Sequence, residues 1–190
     1  MGSFRGDRVD CLYPMRYWLA LCLYISLPLV PASALALGKG EASLSGGLGF
    51  SLAHQADTRP GASVEARLLR GISDAWSARL SLQGAWISAS GASGATFLSV
   101  QDLGLTWAAD VLNLVPFFDL GIVAADIRGG GSAAVQRLGV RASIGADYFL
   151  ARRVALSVLG HVDYLALRLA GGHGATPLLM TFALHLTGFF

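Results

Sequence analysis

Three residues in the last thirty have side chains that could do chemistry together: His161, Asp163 and His185. A histidine held by a carboxylate can act as a general base or activate a nucleophile. No nucleophile accompanies them, because His161 is followed by Val162 and Asp163 and no serine aligns with the set. Ser132, His173 and Thr176 fall in Gly-rich connections and have no spacing that would join them into a site. The clusters Gly46-Gly47, Gly129-Gly130-Gly131 and Gly171-Gly172-His173-Gly174 are not phosphate cradles, since none lies between a buried strand and a helix. No cofactor or metal motif is present. Because 161, 163 and 185 share one parity, a structural polar interior is the better reading of the three.

That reading depends on the elements that carry them. In residues 178–190, alternate positions give Met180, Phe182, Leu184, Leu186, Gly188 and Phe190, while the other set is Thr181, Ala183, His185, Thr187 and Phe189. This is a period-two strand with one apolar face. Eight such segments fit the chain: 41–54, 61–72, 75–88, 96–108, 114–127, 134–149, 154–168 and 176–190. In the sixth, Leu138, Val140, Ala142, Ile144, Ala146 and Tyr148 oppose Arg137, Gly139, Arg141, Ser143, Gly145 and Asp147. The fourth departs, with Leu98 and Val100 even but Leu103, Leu105 and Trp107 odd. A phase slip near Gln101 and Asp102, such as a bulge, would account for it.

The chain is 54% hydrophobic and 14% charged, with mean hydropathy +0.55. That is too apolar for an ordinary soluble domain, yet no run beyond residue 36 approaches the roughly 18 apolar residues of a membrane helix. A net charge of +2 indicates no nucleic-acid partner. Residues 1–36 read as a signal peptide, with Arg5, Arg8 and Arg16 before an apolar run from Trp18 to Val30. Pro31 ends that run, and Ala-x-Ala cleavage patterns end at Ala34 and Ala36. Both cysteines, Cys11 and Cys22, lie within it, so residues 37–190 have no thiol chemistry.

The side of the wall that is bulky decides the kind of barrel. One parity is large and nearly uncharged, and the other is small with scattered Arg, Asp, Glu and His. An eight-stranded barrel is narrow inside, so bulk belongs on lipid. Aromatic residues fall at both ends of the apolar face: Trp76, Trp107, Phe118, Tyr148 and Phe190 at one, Phe50, Trp86, Tyr164 and Phe182 at the other. The terminal run with Phe182, Leu184, Leu186 and Phe190 resembles the C-terminal signature of bacterial outer-membrane β-barrels. The whole pattern is similar to the small eight-stranded, OmpA- or OmpX-like membrane domains. The resemblance implies an all-β, antiparallel up-and-down transmembrane barrel in the outer membrane, exported through the periplasm. It further implies delivery by the barrel-assembly machinery through the terminal signature, contact with outer-membrane lipids and lipopolysaccharide, and a monomer. Class members range from structural proteins and adhesins to lipid A-modifying enzymes. The His-x-Ser arrangement of the deacylating barrels is missing here, so a structural or surface-interacting protein is expected. A lipid A acyl hydrolase or transferase and a small porin-like pore are the alternatives.

With an even strand number both termini are periplasmic. Connections near 54–60, 89–95, 128–133 and 169–175 are then extracellular, and those near 73, 110 and 151 are periplasmic turns. Arg59, Arg128 and Arg168 fall at the extracellular rim, where their forked guanidinium groups suit lipid phosphate. Antiparallel pairing about estimated turn centres puts His161 opposite His185, Arg141 opposite His161 and Asp119 opposite Arg141. It also puts Asp102 beside Asp119, with Gln83 one step away. A closed polar belt inside the wall is the expectation, formed by Gln83, Asp102, Asp119, Arg141, His161 and His185. Asp163, Arg137, Arg67, Arg79 and Glu65 lie in adjacent layers, and Arg141 is the cation expected to serve both Asp102 and Asp119.

Overall fold

The computed structural model describes residues 38–54, 58–88, 95–109, 114–129, 134–170 and 178–190. The expected signal peptide, the Ser132, His173 and Thr176 set and the cluster at 171–174 lie outside the described residues. Eight strands are present: β1 (Ala42–His54), β2 (Thr58–Gly71), β3 (Trp76–Ile87), β4 (Thr96–Ala108), β5 (Leu114–Arg128), β6 (Val135–Ala151), β7 (Val154–Ala170) and β8 (Leu178–Phe189). Each pairs antiparallel with its sequence neighbour, and β8 pairs with β1 to close the barrel. Closure matters because an open edge would leave unpaired backbone groups in lipid. At the seam the amide of Ala42 donates to the carbonyl of Phe190 (3.0 Å), and the amide of Phe190 donates back to Ala42 (2.9 Å).

The pairings also set the tilt. From Leu44, successive partners are Leu68, Leu80, Leu103, Ile122, Val140, Tyr164 and Leu178, and the circuit returns to β1 at His54. One turn of the wall therefore advances ten residues along β1. With ~3.3 Å per residue and ~4.8 Å between strands, the strands tilt roughly 40° from the barrel axis.

Period two then sorts the side chains. Leu48 (71% exposed), Ile144 (70%), Leu103 and Ile122 (67% each) stand on the outer face. Trp76, Trp107 and Phe118 are exposed neighbours on three consecutive strands near the terminal end. Phe50 pairs with Phe182, and Trp86 with Phe97, toward the other end. The outer face is apolar with an aromatic fringe at both ends, the form a lipid-facing barrel surface takes.

β4 corrects one expectation. It has no phase slip: its even positions face inward along the strand, so Leu98, Val100, Asp102 and Thr106 are all buried while Leu103, Leu105 and Trp107 are exposed. Leu98 and Val100 are interior residues. They belong to an apolar layer with Ala53, Ala85, Ile87, Val123, Ala125, Ile127, Val135, Leu165 and Leu179. This layer fills the half of the barrel nearest the β1–β2, β3–β4, β5–β6 and β7–β8 connections. The irregularities occur instead between β6 and β7, where the register shifts at Gln136/Arg137, Leu138/Val140 and Phe149/Ala151.

Candidate functional site: the buried charge cluster

Below the apolar layer the interior changes chemistry. Glu65, Arg67, Arg79, Asp102, Asp119, Arg141, His161, Asp163 and His185 are all at most 5% exposed. They come from seven of the eight strands, each from an inward position. Two glycines make the room. A Cβ at Gly121 would collide with the Asp102 carboxylate, and one at Gly47 would collide with the His185 ring. β1 and β5 therefore run bare backbone past these side chains.

Arg141 is the hub of one half. Its Nε donates to Asp163 Oδ1 (2.5 Å) and its Nη2 to Asp163 Oδ2 (2.7 Å), a bidentate pair. Its remaining donors reach Gln83 Oε1 (2.7 Å), Ser81 Oγ (3.1 Å) and Glu65 Oε1 (3.5 Å). Gln83 passes the network on, donating from Nε2 to Thr181 Oγ1 (2.9 Å), which in turn contacts Ser51 Oγ (2.9 Å).

Arg79 is the hub of the other half. It lies 2.6 Å from Asp102 Oδ2 through Nη2 and 2.5 Å from Asp119 Oδ2 through Nη1. Arg67 adds a bond to Asp119 (3.0 Å), with its guanidinium 5.0 Å from the centre of the Phe117 ring. Ser81 joins the halves by donating to Asp102 while accepting from Arg141. Two buried carboxylates near one another are stable only with a cation between them.

That cation is Arg79, not the expected Arg141. The cause is register. Arg141 pairs with Asp163 rather than His161, and His161 pairs with Thr181 rather than His185. Asp119 pairs with Ser143 and Thr106, not with Arg141 or Asp102. Asp102 pairs with Ser81 and Val123, so Gln83 is two residues from the expected step. In each hairpin the estimated turn centre was off, moving the partner by two or four residues. Even displacements keep a residue on its face, so the inward set is unchanged while its partners change.

The remaining sequence-selected residues sit elsewhere. Arg137 is only half-buried and donates to the Leu165 carbonyl (3.0 Å), at the level of the apolar layer and apart from the charge cluster. Arg128, half-exposed, is held by Asp126 at 2.6 Å. Arg59 is near the start of β2, and Arg168 near the end of β7 is exposed. These three lie at the same end of the barrel but on different parts of the wall. Phe182, Leu184, Leu186 and Phe190 line the outer face of β8 and the seam.

His161 and Asp163 do not form a catalytic pair. The His161 Nε2 lies 4.0 Å from Asp163 Oδ2, but both Asp163 oxygens are taken by Arg141. Instead His161 Nε2 lies 3.2 Å from Gln83 Oε1. His185 Nε2 and His161 Nδ1 flank Glu65 Oε2 at 3.4 and 3.8 Å. The Ser81 hydroxyl is committed to Asp102 and Arg141, whereas Ser45 Oγ lies 3.4 Å from His185 Nδ1, so a serine does align with one of the histidines, contrary to the sequence expectation. Among the described residues no group of three His, Cys, Asp or Glu is placed to hold a metal ion. What this arrangement does chemically is pair buried carboxylates with arginines, while Glu65 Oε2, Asp102 Oδ1 and Asp119 Oδ1 make no hydrogen bond. Under it, toward the terminal end, lies a small recess lined by residues that include Ser45, Arg67, Thr106, Phe117, Asp147 and Thr187.

No protein-family model and no curated protein matches this chain. Solved structures do. Neisserial surface protein A superposes with a TM-score of 0.66 at 12% identity, over 80% of this chain and 100% of that one. Ail, the attachment invasion locus protein of Yersinia pestis, gives 0.57 at 11% identity, over 80% and 99%. OprG of Pseudomonas aeruginosa gives 0.56 at 11% identity, over 83% and 97%. At these identities the likeness is one of backbone architecture. The chain has the closed eight-stranded antiparallel fold of the small bacterial outer-membrane β-barrels.

Proposed function

We propose that this chain is an integral outer-membrane barrel with a plugged interior, serving a structural or surface-interacting role rather than catalysis or conduction. The observation that carries this is the inversion of the wall. Large apolar side chains from Leu48 to Leu186 are exposed on the outside, while the fixed charges are buried inside. In water that surface would aggregate, whereas in a bilayer it is the matched face. Residues 1–36 act as the export signal, and the assembly machinery receives the strand ending at Phe190. Lipid and lipopolysaccharide then surround a monomer whose termini are periplasmic.

Two layers support the plug. The charge cluster crosses the lumen from β2 and β3 to β5, β6 and β7, and above it the apolar layer offers water no hydrogen-bond partner. A catalytic reading through His161 lacks support, because Asp163 is engaged by arginine and His161 faces an amide. Cell fractionation with heat-modifiable gel migration tests the reading. The account expects the protein in the outer-membrane fraction, migrating differently before and after boiling; recovery as a soluble protein would reject it.

A further inference from the structure

Between its aromatic fringes the outer wall departs from apolar character in one place among the described residues. On β4 the outward positions run Phe97, Ser99, Gln101, Leu103, Leu105 and Trp107. Ser99 pairs with Asp126 on β5, and Asp126 pairs with Gln136 on β6. These four polar side chains face outward, because their chain neighbours Leu98, Val100, Asp102, Ala125, Ile127 and Val135 are buried in the interior. The circuit of paired positions through Gln101 is otherwise Gly46, Ala66, Leu82, Ala124, Leu138 and Leu167. Gln101 is thus a carboxamide set in a ring of apolar positions, between the aromatic residues that fringe its own strand.

A carboxamide in lipid has lost the hydrogen bonds that water gave it, and without replacements that burial is costly. Its cross-strand neighbours, Leu82 and Ala124, have no polar side chain to supply them. A lipid acyl chain supplies none either. Polar side chains in membranes hydrogen-bond across protein–protein contacts, and small residues there let two backbones come close. Small residues lie on this face, since Ala124 pairs with Gln101 and Gly84 pairs with Ser99.

Symmetry indicates what covers the face. The bilayer holds every copy of the barrel at one depth and in one orientation. A twofold axis along the bilayer normal therefore brings each residue to the level of its own counterpart. A carboxamide both donates and accepts, so two facing Gln101 side chains can satisfy each other with a pair of hydrogen bonds. Toward the loop end the face is also charge-complementary to itself. Arg128, half-exposed, holds Asp126 Oδ2 at 2.6 Å, while Asp126 Oδ1 is buried without a hydrogen bond. A second copy brings its own Arg128 to that level and offers the donor this oxygen lacks. We propose that Ser99, Gln101 and Asp126 mark the face through which two copies of this barrel pair side by side in the membrane. The proposal rests on the membrane reading above: each barrel closes on its own, and the monomer of that reading is the unit that pairs.

The test uses the full chain exported to the outer membrane, with Cys11 and Cys22 replaced by serine so that an introduced cysteine is single. One variant carries A124C, beside Gln101, and another carries L184C, on β8 across the barrel. Isolated membranes are treated with a short bifunctional thiol crosslinker, and the folded fraction is read by heat-modifiable migration. The expected result is a crosslinked dimer from A124C and little from L184C. Adding Q101L to A124C puts a lipid-compatible group in place of the carboxamide and should lower the dimer yield about threefold or more. Q101A should do the same. Equal yields from A124C and L184C would mean chance encounters and would overturn the proposal. So would an undiminished dimer in both Q101L and Q101A. Crosslinking of A124C to other proteins alone would assign the face to a different partner and reject the second copy. A barrel without heat-modifiable migration would count against the membrane reading instead, so the two failures are distinguishable.

Discussion

A single guanidinium can hold or break the interior. Arg141 makes five hydrogen bonds to four residues, and two of them neutralise Asp163, which is fully buried. Arg141→Met removes the cation and leaves the carboxylate without its partner. We expect a loss of about 3–5 kcal/mol in urea unfolding from lipid vesicles. Lysine at the same position cannot fork to Asp163 and still reach Gln83, so R141K should recover only part of the loss. Gly121→Ala drives a methyl group into the Asp102 carboxylate and should cost about 1–3 kcal/mol by overpacking. Unfolding midpoints equal to wild type for both R141M and G121A would show that the cluster bears little of the fold's stability.

At the scale of the strand, the test is which way β4 faces. Leu103 pairs with Leu80 and Ile122 on the outer face, whereas Val100 is interior at 1% exposure. Single cysteines can be introduced at both positions, and a quencher carried on lipid chains should reach a fluorophore at residue 103 but not at residue 100. Leu103→Arg should cost about 2–4 kcal/mol if the residue sits near the bilayer midplane. Equal quenching at both positions would contradict the assigned face. The eight strands were legible because alternation over a dozen residues is a long signal, and their ends moved by only a few positions. The facing of β4 was harder to read. Leu98 and Val100 are as apolar as any pair on the outer face, and nothing in composition separates a residue packed in the interior from one exposed outside. Pairing partners were the least legible, since each depends on a turn centre inside a connection. For this reason Arg141, His161, His185, Asp119 and Asp102 are interior residues whose cross-strand neighbours differ from those their numbering suggests.

The whole molecule depends on its seam. Phe190 exchanges two backbone hydrogen bonds with Ala42, and β8 pairs with β1 from Phe189 to Leu178. Deleting Phe190 removes the last of these bonds together with the apolar terminal side chain, so the amount of folded barrel recovered from the outer membrane should fall. Unchanged recovery would show that closure does not need that residue. The central claim is that the lumen is blocked by two layers, one charged and one apolar. The most direct measurement is ion flux across lipid vesicles into which the barrel has been folded, with the folded fraction read by heat-modifiable migration in the same preparation. The account predicts flux no faster than from protein-free vesicles when most of the protein is folded. Flux that rises in proportion to folded barrel would contradict it and make the protein a pore.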